Sequence, residues 1–239
     1  MQVTTKAIVF SSLKYGDTSL IVKAYTESDG LKSYLLKGVL ASKKGKLKAA
    51  YFLPLMQLEI VANHKNKGTL ESIREVKVVN PYSSLHTDIV KNGLVLFLAE
   101  MLGNSIQEHE RDMAMYNYLE YSLLWLDGHP VNASFHLLFL LNLTKYLGFY
   151  PDTSFSHSPY FDLQEGSFVT SPSLNPLVQG ENLTELNKLL GINFDALPTI
   201  KIGKPQRREL MKKVILYFQL HLHGFRKPKS LEVLNAVFE

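Results

Sequence analysis

Alternating apolar and polar positions dominate the first 80 residues and predict short β-strands. The segments that carry this pattern are residues 3–13, 19–26, 31–39, 50–62 and 69–79. The turns between them include YGD (15–17) and DG (29–30), and the second is a strong hairpin signal. Pro54 cannot donate to a sheet, so it predicts an edge, bulge or bend in the fourth segment. Five short strands favour a small closed barrel, although an open sheet also satisfies the pattern.

Beyond residue 80 the apolar spacing changes to the period of amphipathic helices. Helices are predicted from residue 83 to about 103 and over 112–127, 132–147, 182–190, 205–223 and 230–238. Residues 132–147 are apolar on nearly every face, which predicts a central bundle helix. Within 150–180, YFDL and SFVT flank Gln164-Glu165-Gly166 and predict a small β-hairpin. The sequence therefore predicts an α+β protein, with a β-barrel domain over 1–80 and a helical domain over 81–239 that carries the hairpin insert.

The composition narrows the class of protein and its compartment. The 239 residues include no cysteine, which excludes disulfides, thiol nucleophiles and cysteine-bound metal clusters. No apolar run reaches the ~18 residues of a membrane helix, and the first residues lack the pattern of a signal peptide. We therefore expect a cytoplasmic protein with no membrane contact.

Charge is distributed very unevenly along the chain. The net charge is +7 over residues 1–80, −9 over 81–200 and +6 over 201–239, for a total of +4. Basic ends around an acidic middle predict contact with a polyanion. Lysines that only solubilise a β-rich surface are the alternative interpretation.

The densest basic segment lies between the third and fourth predicted strands. Its lysines are Lys37, Lys43, Lys44, Lys46 and Lys48, and two glycines accompany them. Lysines on a flexible backbone can follow phosphates and release counterions, whereas Lys rather than Arg disfavours base reading. Tyr15 and Tyr34 are candidates for stacking on bases. A mobile, solvated loop is the alternative, and each tyrosine taken singly is more typical of a core.

A second basic cluster lies at the start of a predicted helix. It consists of Lys204, Arg207, Arg208 and Lys212, and Pro205 fits the first helical turn. Cations at the positive end of a helix dipole are unfavourable unless an anion binds there. The anion could be a phosphate or an acidic peptide. Ion pairs with the acidic middle of the chain are the alternative.

Catalytic and metal-binding patterns are missing from the sequence. No HExxH, Walker loop, GxGxxG or Gly-x-Ser-x-Gly motif occurs, and no spacing of Ser, His and Asp singles out a triad. His221 and His223 are two residues apart on a predicted helix and so face different directions. We therefore expect no enzyme, cofactor or metal.

The order of short motifs resembles the RecO family of bacterial recombination-repair mediators. The opening KAIVFSSLKYGDTSLIVKAYTESDGLKSYLLKGV (6–39) matches the family's start, and LTKYLGFYPD (143–152), YFDLQEG (160–166) and FRKPKSLEVLNAV (225–237) follow in order. The resemblance covers the whole chain. It implies an OB-fold domain followed by a helical domain.

The resemblance also implies a function. Proteins of the family bind single- and double-stranded DNA, anneal complementary strands and, with RecR, help to load RecA onto strands coated by single-strand-binding protein. The resemblance thus implies a nucleoid-associated protein that has DNA, RecR and single-strand-binding protein as partners and acts indirectly on RecA. The resemblance implies that the helical domain contacts single-strand-binding protein, and we assign the acidic tail of that protein to the second basic cluster from the charge at this helix start. The alternative is an adaptor whose barrel binds proteins instead of DNA.

One departure from the family concerns the hairpin insert. Many members carry paired cysteines around this hairpin that bind zinc, whereas here the segment reads DTSFSHSPYFDLQEGSFVTSPS (152–173). We therefore expect no zinc. Packing of Phe155, Tyr160, Phe161 and Phe168 is expected to hold the hairpin instead.

Overall fold

A computed structural model describes residues 1–41, 47–65, 67–107 and 110–238. The chain divides into two compact units, residues 1–128 and 129–239. The first contains an antiparallel sheet and two helices, and the second contains helices and a small sheet. The predicted α+β class is confirmed. The first unit extends past residue 80 because two helices pack onto its sheet.

The sheet of the first unit has five strands, each antiparallel to its neighbours in the order β3-β2-β1-β4-β5. They are β1 (Gln2–Tyr15), β2 (Ser19–Thr26), β3 (Gly30–Leu36), β4 (Gln57–Asn63) and β5 (Ser72–Val78). One face of the sheet encloses an apolar core because alternate side chains point to the same side. That core includes Ala7, Val9, Leu20, Val22, Tyr34, Leu36, Leu58 and Ile60.

The predicted barrel is not closed by a continuous ladder of hydrogen bonds between its edge strands. The edge strands β3 and β5 meet at one isolated parallel bridge between Tyr34 and Glu71. Two backbone hydrogen bonds make it, from Leu35 N to Glu71 O (2.9 Å) and from Glu71 N to Ser33 O (2.8 Å). The bridge lies where the chain enters β5, and among the described residues no ladder joins the rest of the two edges.

The fourth predicted strand, 50–62, is too long. Residues Ala49–Phe52 form a 3-10 turn, and β4 begins at Gln57. Pro54 lies between them, and Leu55 adopts a left-handed conformation with φ 61°. The turn docks on β1 at its bulge, where Leu55 N donates to Val9 O (2.6 Å) and Val9 N donates to Met56 O (3.0 Å). The proline therefore lies between the 3-10 turn and the start of β4 and does not bend a strand.

Two helices, α1 (Ile89–Ser105) and α2 (Met113–Gly128), complete the first unit. An aromatic series joins the outer face of the sheet to α2: Phe10 and Tyr25 lie 6.0 Å apart, and Tyr25 and Tyr116 lie 6.5 Å apart between centroids. Asp127 accepts backbone hydrogen bonds from residues 83–85 at the start of the helical part. Burial opposes the ionisation of Asp127, but these bonds outweigh it and lower its pKa to about 2.

The second unit is built around one buried helix. Its elements are α3 (Phe135–Tyr146), β6 (Tyr160–Asp162), β7 (Ser167–Val169), β8 (Leu177–Gln179), α4 (Gly180–Leu189), α5 (Lys204–His221) and α6 (Leu231–Val237). Every residue from 135 to 144 is buried, as the uniformly apolar sequence of α3 predicts. A 3-10 segment, Phe194–Thr199, precedes α5.

The hairpin insert forms as β6 and β7, and β8 adds a third strand that the sequence did not indicate. Phe161 and Phe168 are buried with their rings 5.0 Å apart, but Phe155 is 61% exposed, so its predicted packing role is wrong. A buried carboxylate, Asp162, accepts hydrogen bonds from Ser173 Oγ (2.7 Å) and Asn175 Nδ2 (3.0 Å). Rings and a polar network therefore hold the hairpin together.

Candidate nucleic-acid interface and basic groove

The tip of the β1–β2 hairpin presents apolar side chains to solvent. Tyr15 pairs with Ser19 at the last rung of the two strands, and Gly16 takes φ 61° in the turn. Tyr15 is 56% exposed and Leu13 is 65% exposed. Exposed aromatic and aliphatic side chains at the tip are available to a ligand. Sequence reasoning identified Tyr15 and missed Leu13.

The start of the lysine-rich segment reaches the same end of the sheet. Leu40 N donates to Thr18 O (2.9 Å), and Gly38 N donates to Ser19 Oγ (3.4 Å). Lys37, just after β3, is exposed, as is Lys14 beside Tyr15. The structure therefore brings Tyr15 and Lys37 to one end of the sheet. The signal for Lys14 was its place beside the predicted YGD turn.

The other lysines of this segment have different outcomes. Lys43, Lys44 and Lys46 lie outside the described residues. Lys48 is exposed just before the 3-10 turn, and its Nζ lies 6.0 Å from the ring centroid of Tyr51. As parts of a DNA interface they remain predictions.

The prediction that Tyr34 stacks on bases is wrong. Tyr34 has 0% exposure because its ring fills the core of the sheet, and burial raises the pKa of its phenol. Its hydroxyl lies 2.8 Å from His64 Nε2, and His64 Nδ1 lies 2.9 Å from Asp29 Oδ2. Alternation along β3 shows that the side chains of Tyr34 and Leu35 point to opposite faces of the sheet. It does not show which of the two faces is enclosed. Tyr34 is a core residue.

In the second unit, the start of α5 lines an open groove of about 970 Å³. Its basic side chains are Lys204, Arg208, Lys212, Lys227 and Lys229. Met211, Pro228 and Leu231 supply apolar surface, and Glu209 and Glu232 are its acidic members. The groove therefore unites three of the four predicted cations with two lysines from the segment before α6. Sequence reasoning missed Lys227 and Lys229, although both lie in a basic run.

One ion pair inside this groove is weak. Lys212 Nζ lies 2.6 Å from Glu209 Oε1, three residues earlier on α5, and both side chains are more than half exposed. An exposed pair of this kind contributes about 0–1 kcal/mol, so an incoming anion can displace it. The first turn of α5 has no acidic residue, and its N-cap, Gly203, has no capping side chain. The positive end of the helix dipole therefore faces the groove with little compensation.

Arg207 does not line this groove, and its anion-binding role remains a prediction. Its Nη1 donates to Ile202 O (3.1 Å), and its guanidinium lies 5.7 Å from the ring centroid of Phe238. Burial, with a smaller contribution from Arg207, lowers the pKa of His136 to about 3. Arg207 thus fixes the start of α5 and the C-terminal segment, while its neighbour Arg208 faces the groove.

Metal-ligand clusters and membrane-spanning helices are both absent from the described residues. Across residues 1–41, 47–65, 67–107 and 110–238, no three His, Cys, Asp or Glu side chains are grouped to hold a metal ion. In the same residues no helix is long and apolar enough to cross a membrane.

Comparison with known proteins identifies the family. The family model described as Recombination protein O N terminal matches residues 1–82, and the one described as Recombination protein O C terminal matches residues 86–232. Similar proteins named DNA repair protein RecO occur in Christiangramia forsetii (51% identity, 100% of both chains), Flavobacterium psychrophilum (49%, 100% of both) and Bacteroides fragilis (35%, 98% of both). The chain belongs to the RecO family, whose members are recombination mediators in DNA repair.

Proposed function

We propose that this protein binds single- and double-stranded DNA through the end of its five-stranded sheet and anneals complementary strands. With RecR it helps to load RecA onto strands coated by single-strand-binding protein. One observation carries the DNA-binding part: exposed Tyr15 and Lys37 converge where the lysine-rich segment leaves the sheet. This end belongs to a region with a net charge of +7, which suits a polyanion.

The strand order supports an OB-type barrel. Strands β1, β2 and β3 are consecutive neighbours, β4 pairs with the far side of β1, and β5 meets β3 at a parallel bridge. An OB-fold is a five-stranded, partly open barrel, so the missing ladder between β3 and β5 is compatible with it. Such folds bind oligonucleotides on strands 2–3 and adjoining loops, which matches the placement proposed here.

Fluorescence anisotropy of a labelled single strand, measured over several salt concentrations, tests this function. If about four phosphates are neutralised, log K should fall with log salt at a slope of roughly −3. Replacing Lys43, Lys44 and Lys46 by Ala should weaken binding to all sequences alike and flatten the slope. The matched control replaces Lys65, Lys67 and Lys77, which are exposed in the same domain. An equal loss of affinity in both triple variants would mean that the lysine-rich segment is not the specific binding site. Salt-independent binding would favour the alternative function, an adaptor that binds proteins.

We propose that the groove beside α5 binds the acidic tail of single-strand-binding protein. Five cations around an apolar floor suit a peptide that carries both carboxylates and hydrophobic side chains. The exposed Lys212–Glu209 pair can open to admit such a peptide. This placement replaces Arg207 of the sequence prediction with Lys227 and Lys229.

Charge reversal tests the groove separately from the sheet. Arg208→Glu with Lys227→Glu should abolish binding of a labelled acidic-tail peptide and leave binding of free oligonucleotides largely intact. Lys201→Glu with Arg226→Glu is the matched control, since both residues are exposed and neither lines the groove. Undiminished peptide binding by the first variant would place the tail elsewhere.

A further inference from the structure

The outer face of strands β1, β2 and β3 is half covered. At one end, Ile8, Tyr25 and Leu31 lie opposite one another across the three strands and are buried. Phe10 and Tyr116 both stack with the Tyr25 ring, and Tyr116 belongs to α2, so α2 packs against this end. The helices of the first unit therefore cover this half of the outer face.

The next row marks the limit of that cover. Lys23 pairs with Ser11 on β1 and Ser33 on β3, and its Nζ donates to Gly103 O (2.9 Å) near the end of α1. The ammonium group thus binds the last turns of the helix. Beyond this row, the sheet continues towards the hairpin tip.

An uncovered apolar row follows. Leu13 pairs with Ile21, and Ile21 pairs with Leu35, so the three side chains lie side by side on the outer face. Strands are about 4.8 Å apart, which makes the row about 10 Å wide. Leu13 is largely exposed, Ile21 and Leu35 are half-buried, and Tyr15 extends the same face two residues further along β1. Apolar side chains therefore continue past the helices into solvent.

A cation lies at the end of this row. Lys37 follows Leu35 by two residues, just past the end of β3, and is exposed; Lys14 is exposed too, but it alternates to the opposite face of β1 from Leu13 and Tyr15. Ammonium groups beside exposed aromatic and aliphatic surface are the arrangement by which proteins hold single strands, with phosphates on the cations and base faces on the rings. Paired bases are stacked within a duplex and do not offer these faces.

We infer that the row of Leu13, Ile21 and Leu35, together with Tyr15, contacts the bases of unpaired nucleotides and gives this protein a preference for single strands over duplex. The inference rests on the proposed DNA-binding function and adds to it the form of nucleic acid that this face selects. The lysines provide salt-dependent affinity for either form. The apolar row provides a salt-independent contribution that only unpaired bases receive.

The first test uses the full chain with Leu13→Ala and Tyr15→Ala combined. Affinity for an oligothymidylate should fall about tenfold or more, since stacking on one base contributes about 1–3 kcal/mol and 1.4 kcal/mol is a factor of ten. Affinity for a duplex of equal length should change by less than about twofold, and the salt slope should stay the same. The control combines Phe155→Ala and Leu174→Ala, which removes one exposed aromatic and one exposed aliphatic side chain from the second unit.

An abasic strand and a fluorescent variant sharpen the test. Wild type and the double variant should bind a strand of abasic sites equally, because the missing bases leave only phosphate contacts. Tyr15→Trp should keep the affinity, and oligothymidylate but not the abasic strand should quench its fluorescence over the background of the native, buried Trp125.

Three results would overturn the inference. Equal losses for single strand and duplex would mean that the face contacts the backbone, and an unchanged single-strand affinity would mean that it contacts no bases and is free for a protein partner. Wild-type protein that binds neither nucleic acid would overturn the proposed function as well, which separates the two failures.

Discussion

The β1–β2 hairpin of the first unit and the β6–β7 hairpin of the second bury their aromatic side chains to different extents. Tyr15 at the first tip is more than half exposed, whereas Phe161 and Phe168 of the second are buried against each other. The turn glycines, Gly16 and Gly166, have similar φ values of 61° and 67°. Turn conformation therefore does not distinguish the two hairpins, but the surroundings do.

The two hairpins also differ in how far their polar groups are satisfied within the fold. Around β6 and β7, the Asp162 carboxylate accepts bonds from the backbone N–H groups of Gln164 and Glu165 and from two side chains. The polar groups of this turn are thus satisfied within the fold. At the β1–β2 tip, exposed apolar groups lie beside cations and are available to a partner. Substitutions should therefore affect stability at one hairpin and binding at the other.

The largest stability contrast is expected between Phe161→Ala and Tyr15→Ala. Removing the buried ring of Phe161 should reduce the free energy of unfolding by about 3–5 kcal/mol, because it leaves a cavity beside Phe168 and Tyr217. Tyr15→Ala should change it by less than about 0.5 kcal/mol, since the side chain is largely solvated. Urea unfolding of both variants measures this. A comparable loss in the two would mean that the β1–β2 tip is packed within the fold.

The second contrast concerns Asp162. Asp162→Ala should reduce the free energy of unfolding by about 2–4 kcal/mol, because it leaves Ser173, Asn175 and two backbone N–H groups without their shared acceptor. Asp152→Ala is the control, since that carboxylate accepts bonds from Ser154 on the exposed surface. Thermal unfolding followed by circular dichroism compares them. A loss at Asp152 as large as that at Asp162 would refute a central role for the buried carboxylate.

The turn glycines give a smaller contrast. A Cβ on Gly166 would lie 2.7 Å from Tyr217 Oη, and that hydroxyl donates to Phe149 O (2.7 Å), so it cannot move without losing a bond. Gly166→Ala should therefore cost about 2–3 kcal/mol, which combines backbone strain with the clash. Gly16→Ala meets nothing within 4 Å and should cost only the strain, about 1 kcal/mol. Equal costs in urea unfolding would show that the contact with Tyr217 relaxes freely.

Sequence patterns predicted those elements whose residues have one dominant environment. Alternation found the strands, and the all-apolar α3 was placed in a core. The pattern failed before Gln57, where a 3-10 turn, Pro54 and a left-handed Leu55 replace the first half of the predicted strand. It also missed β8, whose three residues are too few to show a period.

Functional residues were harder to predict, because neighbouring side chains on one element can lie in different surroundings. Arg207 and Arg208 are adjacent, yet Arg207 lies over Phe238 and Arg208 lines the groove. Tyr34 and Tyr15 were equivalent as candidates, but only the packing of the sheet shows that Tyr34 is enclosed. The gathering of Lys227 and Lys229 with α5 depends on the path of the chain before α6, which no local pattern specifies.

The smallest expected effect is a pH dependence that separates the two hairpins. Burial opposes the ionisation of Asp162, but hydrogen bonds from Ser173, Asn175 and the backbone outweigh it and lower its pKa below the ordinary value. A lowered pKa in the folded state means that ionised Asp162 contributes stability above about pH 4, where the unfolded carboxyl is ionised, and that this contribution is lost as the pH falls through the folded pKa. The difference in unfolding free energy between wild type and Asp162→Asn should therefore be constant from pH 7 to about 5 and shrink below about 4. Tyr15→Ala should show a constant difference over the same range, because it removes no carboxyl group. A difference for Asp162→Asn that grows towards low pH would contradict the direction of this pKa shift.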